Sequence, residues 1–157
     1  MAVTDITYKA LVTTIETIAL SHLGVDQFYM GELSNIEMRS NDNPNENYTL
    51  VFLNPVSATY AGGYMTFNMN LLAMDLAKKS KEREVNVHNS TLSILQDIIA
   101  KFKLTYDQQI RIPDGWTVSW FTEGQKQSVA GWSVNLNFTV INPLDLCKAA
   151  FETVEEL

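Results

Sequence analysis

The chain has 157 residues, 46% apolar and 18% charged, which fits one globular domain with a sizeable core and excludes wholesale disorder. Its formal charge of −7 opposes an electrostatic nucleic-acid binder, which needs a basic surface against phosphates. Apolar stretches stop at strand length, so no membrane-spanning helix is expected, and the start MAVTDITYKAL lacks the basic and apolar regions of a signal peptide.

Residues 4–23 are predicted to form an amphipathic helix, because Tyr8, Leu11, Val12, Ile15, Ile18, Ala19 and Leu23 recur at helical spacing. Thr4 or Asp5 would cap it and Gly24 would end it. Residues 26–38 have a mixed pattern, with room for a short strand on each side of Gly31, and residues 40–47 are a polar loop by composition. The β-branched and aromatic run 48–53 is a strand, closed by Asn54-Pro55. A loop over 56–63 follows, with Gly62-Gly63 allowing a tight reversal.

From Tyr64 to Met74, Met65, Phe67, Met69, Leu71 and Ala73 alternate with Tyr64, Thr66, Asn68 and Asn70, until Leu72 and Met74 make the second side apolar too. This is a half-buried antiparallel strand whose far end is covered on both faces. The charged run 78–84 reads as a solvated connector. A second helix, capped by Asn86 or Asn89 and running to Lys103, buries Val87, Thr91, Ile94, Leu95, Ile98, Ile99 and Phe102. Pro113-Asp114-Gly115 marks a turn, and residues 116–122 and Val129–Ile141 are two antiparallel strands joined by the polar turn 123–128. Residues 144–157 add a short acidic helix or tail. The expected fold is α+β: an antiparallel β-sheet with two α-helices packed on one face, its other face rich in Asn, Thr and Ser and either wet or covered by a neighbouring subunit.

Chemical equipment is sparse. Phosphate-cradling glycine patterns, nucleophile elbows and paired metal-ligand spacings do not occur, so no cofactor is expected. His22 and His88 fall at helix ends, where capping is the commoner role. The single cysteine, Cys147, suits a reducing cytoplasm and reads as a passive small residue. Asp75 and Asp97 read as structural partners, with Asp97 reaching a neighbouring loop or subunit. Met38, Met65, Met69 and Met74 fill a core or form an adaptable surface. Trp116, Trp120 and Trp132 are either core packing or the wall of a small-molecule pocket.

Five blocks in order carry a resemblance: TYKAL from Thr7, LVFLNP from Leu50, FNMNLLAMDLAK from Phe67, NVHNSTLSILQDIIAKF from Asn86, and VAGW from Val129 leading to Pro143 and Cys147. They cover most of the chain between Thr7 and Cys147 and resemble small virion proteins of tailed bacteriophages of the Bacteroidetes-infecting type, placed at the head–tail neck or tail terminus. Residues 148–157 depart from that family's shorter ending. The resemblance implies a non-catalytic tail-terminator or tail-completion protein in the virion, made in the bacterial cytoplasm. It would form a homo-oligomeric ring, hexamer or dodecamer, against neck, portal-adaptor or tail-tube proteins, with genomic DNA in the lumen and no membrane contact. Loops 56–63 (Gly62, Gly63) and 41–47 (Asn43, Asn45) are then candidates to order on assembly, and Lys78, Lys79, Lys81 and Arg83 to form an intersubunit charge contact. The competing expectation is a small-molecule-binding domain walled by the Trp116/Trp120/Trp132 hairpin. An enzyme would need a cleft gathering His22, His88 or Cys147 with carboxylates.

Overall fold

The computed structural model describes residues 6–32, 49–76, 81–106, 108–123, 129–141 and 150, with the side chains of 81–84 and 123 outside that description. The elements are α1 (Tyr8–Ser21), β1 (Gln27–Met30), β2 (Leu50–Ala61), β3 (Tyr64–Leu76), α2 (Lys81–Thr105), β4 (Ile110–Arg111), β5 (Val118–Glu123) and β6 (Val129–Ile141). The fold is α+β, as the alternation of patterns implies. Its six-stranded sheet runs β1-β2-β3-β6-β4, and β5 pairs with β6 beside β4.

The helices form where the apolar period is 3.6. In α1, Leu11, Ile15, Ile18 and Ala19 are buried, and Thr7 caps the helix by accepting a hydrogen bond from the Ala10 N–H at 3.1 Å. This corrects the expected cap at Thr4 or Asp5, which lies outside the described residues. The helix ends at Ser21, not Leu23. His22 turns to extended backbone and donates its N–H to the Ala19 carbonyl, which leaves Leu23 fully exposed.

In α2 the predicted stripe is buried throughout, and the Thr91 hydroxyl is satisfied by donating to the Val87 carbonyl at 2.7 Å. The helix starts at Lys81, five residues before the expected cap, so the run read as a connector is helical from there on. Glu, Lys and Arg are good helix formers, and their charge alone does not distinguish a loop from an exposed helical turn.

The sheet departs from expectation in two ways. β1 pairs parallel with β2, Gln27 opposite Leu50 through Met30 opposite Leu53, so the sheet is mixed and not purely antiparallel. A parallel pair requires a long crossover, and the interval between Met30 and Leu50 has the length for one. Residues Leu50 to Leu53 are buried on both sides, the signature of an interior strand.

The second departure is that β2 does not close at Asn54-Pro55. It continues to Ala61 past an irregularity between Pro55 and Ser57, and the expected loop 56–63 is the outer half of a hairpin. Proline is tolerated here because β1 ends opposite Leu53, which frees the β2 edge from Asn54 onward of any need for a ladder donor. Gly62 and Gly63, both at positive φ (58° and 84°), make the two-residue turn.

β3 and β6 run together over their whole length, from Tyr64 opposite Ile141 to Leu76 opposite Val129. One large core gathers Leu11, Ile15 and Ile18 of α1, Ile94, Leu95, Ile98 and Phe102 of α2, and alternate strand residues such as Val51, Leu53, Met69, Leu71, Val134, Leu136 and Phe138. The residues between these on the strands point the other way. At one end of the sheet those residues form a second cluster of Leu50, Phe52, Leu72, Met74 and Val129.

The two faces are thus both apolar at this end. The pairing is also tight there: a Cβ on Gly131 would lie 2.0 Å from the Ala73 carbonyl oxygen. Glycine at 131 is required for space and not for backbone freedom. Among the described residues no helix is long and apolar enough to cross a membrane.

Candidate functional site

The other end of the sheet is built differently. From Asn54 onward β2 has, among the described residues, β3 on one side and no strand on the other, and Val56 through Ala61 are all exposed. Exposed apolar side chains cluster on this arm: Val56 at 55%, Tyr60 at 38% and Tyr64 at 50%. No residue from Asn54 to Tyr64 is ionisable at neutral pH, in a chain of net charge −7.

On the side of the second cluster, the arm continues as a ladder of side-chain amides. The Asn54 amide donates to the Gly31 carbonyl at 3.0 Å, and the Asn70 amide donates to Asn54 Oδ1 at 3.0 Å. Asn135 donates to Asn70 Oδ1 at 2.9 Å and to Asn68 Oδ1 at 3.0 Å, and Asn68 donates to Asn135 and Asn137, both at 2.8 Å. The Thr66 and Thr139 hydroxyls, 3.0 Å apart, extend the row towards the hairpin tip. The register causes this: Asn54 faces Asn70, Asn70 faces Asn135, and Asn68 faces Asn137. Asparagine is disfavoured in strands, so five in facing register is a local conflict, of the kind found where a surface is used. The ladder is neutral and has no acid–base chemistry. It offers a neutral hydrogen-bonding surface.

The titratable groups are engaged elsewhere by the fold itself. His22 Nδ1 accepts the Gly24 N–H at 3.0 Å, which leaves Nε2 to carry the proton and donate it to Asp97 Oδ2 at 2.7 Å. The pair ties the end of α1 to the middle of α2, and neither ring nitrogen is free to serve as a base. His88 Nε2 donates to the Phe121 carbonyl at 3.3 Å, and its ring meets Trp120 and Trp132 edge-on at 5.5 and 5.9 Å. The Trp132 indole N–H donates back to the His88 carbonyl at 2.8 Å.

Asp75 Oδ2 accepts from the Thr49 hydroxyl at 3.0 Å and its Oδ1 from the Leu76 N–H at 2.7 Å. Lys103 Nζ donates to the Ile112 carbonyl at 3.2 Å, pairs with Asp114 and lies 5.6 Å from the Trp116 ring centre. The hydrogen bond from Lys103, reinforced by its charge, holds the Asp114 carboxyl below the usual carboxylate range.

These placements sort the predicted site residues. Gly62 and Gly63 sit at the arm tip. Lys81 and Arg83 belong to the first turn of α2, while Lys78, Lys79, Asn43, Asn45, Met38 and Cys147 lie outside the described residues. The three tryptophans are not brought to one wall: Trp116 goes with Lys103, and Trp120 and Trp132 flank His88. A shallow depression of about 510 Å³ is lined by Lys103, Leu104, Thr105, Tyr106, Gln108 and Gln109, with none of the tryptophans. Met65, Met69 and Met74 lie in or against the two cores. Among the described residues no group of three or more His, Cys, Asp and Glu gathers as a metal site would.

Sequence reasoning found the polar strand face but missed the amide ladder, whose signal was the alternation of Asn68 with Asn70 and of Asn135 with Asn137. It also missed the open β2 edge, because Pro55 masked the strand. Comparison with protein-family models and with curated proteins returned no match to this chain.

Proposed function

We propose that this chain is a non-catalytic structural protein of a tailed-bacteriophage virion, forming a ring at the head–tail neck or tail terminus. The observation that supports it best is the arm: the outer half of β2, uncharged along its edge, with Val56 to Ala61 exposed. An element of that kind adds little to folding and much to contact with neighbours. The histidines, Asp75, Asp97 and Lys103 fit the same reading, since each is held by structural partners. The phage assignment itself rests on the ordered sequence blocks between Thr7 and Cys147. Head-to-tail contacts that close give cyclic rings, the symmetry such a role needs.

Negative-stain electron microscopy of the purified chain, alone and mixed with tail tubes, tests the reading. Six- or twelve-fold rings, free or capping the tubes, are expected. Particles that stay monomeric in both conditions would contradict it.

A further inference from the structure

We infer that the open edge of β2, beyond Asn54, pairs with the same edge of a second copy of this chain, antiparallel and about a two-fold axis near Ala58. The inference goes beyond the ring reading and does not depend on it. Three observations carry it.

First, the edge is chemically specific. β1 leaves β2 at Leu53, and among the described residues no strand lies on the outer side of β2 from Asn54 to Ala61. Along an antiparallel strand the backbone N–H and C=O groups alternate between its two edges, so this stretch directs a row of donors and acceptors outward. Water satisfies such a row in the single chain, and another extended backbone matches it group for group.

Second, the usual guards are confined to the base of the stretch, at Pro55 and the irregularity beside it. Exposed edges are normally protected by charged side chains, by proline or by a short strand. Here the proline, Pro55, stands at the base of the stretch, and no charged residue occurs between Asn54 and Tyr64. In a chain of net charge −7, two copies repel one another over much of their surface, and this edge is where they approach without that penalty. That is the reason for choosing a second copy over a charged partner.

Third, the segment is compatible with itself. In a pairing centred on Ala58, each copy's Ser57 lies opposite the other's Thr59, and the small Ala58 side chains meet at the axis. Tyr60 and Val56, both exposed in the single chain, then lie against the neighbour.

Such a contact is isologous and differs from the head-to-tail contacts that close a ring. Where both exist, it joins two rings face to face, turning six copies into twelve.

The test is sedimentation velocity of the full chain over a concentration series, with Thr59→Lys and Thr59→Glu and with melting temperatures as a check on folding. Wild type is expected to associate in steps of two. Each charged variant alone should associate at least about tenfold more weakly, because the two like charges lie on the same face, diagonally across the axis, while a mixture of the two should recover association. A wild-type chain monomeric at every concentration would overturn the inference. So would association unchanged in Thr59→Lys, or a mixture that recovers nothing. Rings that pair face to face equally well in wild type and Thr59→Lys would sink the edge contact and leave the ring reading standing. Two-fold dimers without rings would do the reverse.

Discussion

The two ends of the β2–β3–β6 sheet are made from the same strands and spend their side chains differently. Where Leu50 to Leu53 face Leu71 to Met74, both faces are apolar, the strands are buried, and Gly131 lets β6 approach β3 more closely than any side chain would allow. At the arm, β2 and β3 keep their hydrogen bonds but one face becomes an amide ladder and, among the described residues, one edge has no strand beside it. The first end makes the fold stable. The second end is supported by it and contributes surface.

Substitutions should therefore divide by position and not by residue size. The largest effect is expected for Gly131→Ala, whose added carbon would overlap the Ala73 carbonyl. Relief requires β3 and β6 to separate, so the loss should exceed the ~1–3 kcal/mol of ordinary overpacking and leave little folded chain. Circular dichroism with urea denaturation reads this directly. Next comes Phe52→Ala in the second cluster, with a loss of about 3–5 kcal/mol, whereas Tyr60→Ala on the arm should stay within ~0.5 kcal/mol when measured on dilute chain. Equal losses at the two sites would break the comparison.

The amide ladder lies between these extremes. Asn135→Ala removes the residue bonded to both Asn68 and Asn70 and should cost roughly 0.5–1.5 kcal/mol, the ordinary worth of part-exposed hydrogen bonds. The smallest effect concerns Asp114. Its carboxyl has a folded pKa below the unfolded one, so its pairing with Lys103 contributes above the ordinary carboxylate range and is lost as pH falls through the lowered folded value. Urea midpoints measured from neutral to acid pH should show Asp114→Asn losing slightly less than wild type on the acid side. Because Asp114 is fully exposed, the difference should shrink further in salt.

Much of the folding end was legible in the sequence, and the reasons are periodic. β6 alternates apolar with polar residues from Trp132 to Val140, and the α2 stripe from Val87 to Phe102 recurs at helical spacing. What escaped had no periodic signal. β4 is two residues long, too short to show any alternation. His22 and Asp97 are 75 positions apart, so their bond is a product of tertiary packing. Pro55 argued for a strand end because the sequence does not reveal that β2 is an edge at that point. The candidate surface was half legible for the same reason: residue types marked the polar face, but only register shows that the asparagines meet one another.

The central claim is that the arm is dispensable for folding and required for assembly. Native mass spectrometry of a shortened-arm variant tests it most directly. Removing the facing pairs Thr59 with Thr66 and Tyr60 with Met65 keeps the Gly62-Gly63 turn and the register below it. The account predicts a folded chain, melting close to wild type, that no longer forms the oligomers wild type forms. Unchanged oligomers, or a variant that fails to fold, would contradict it.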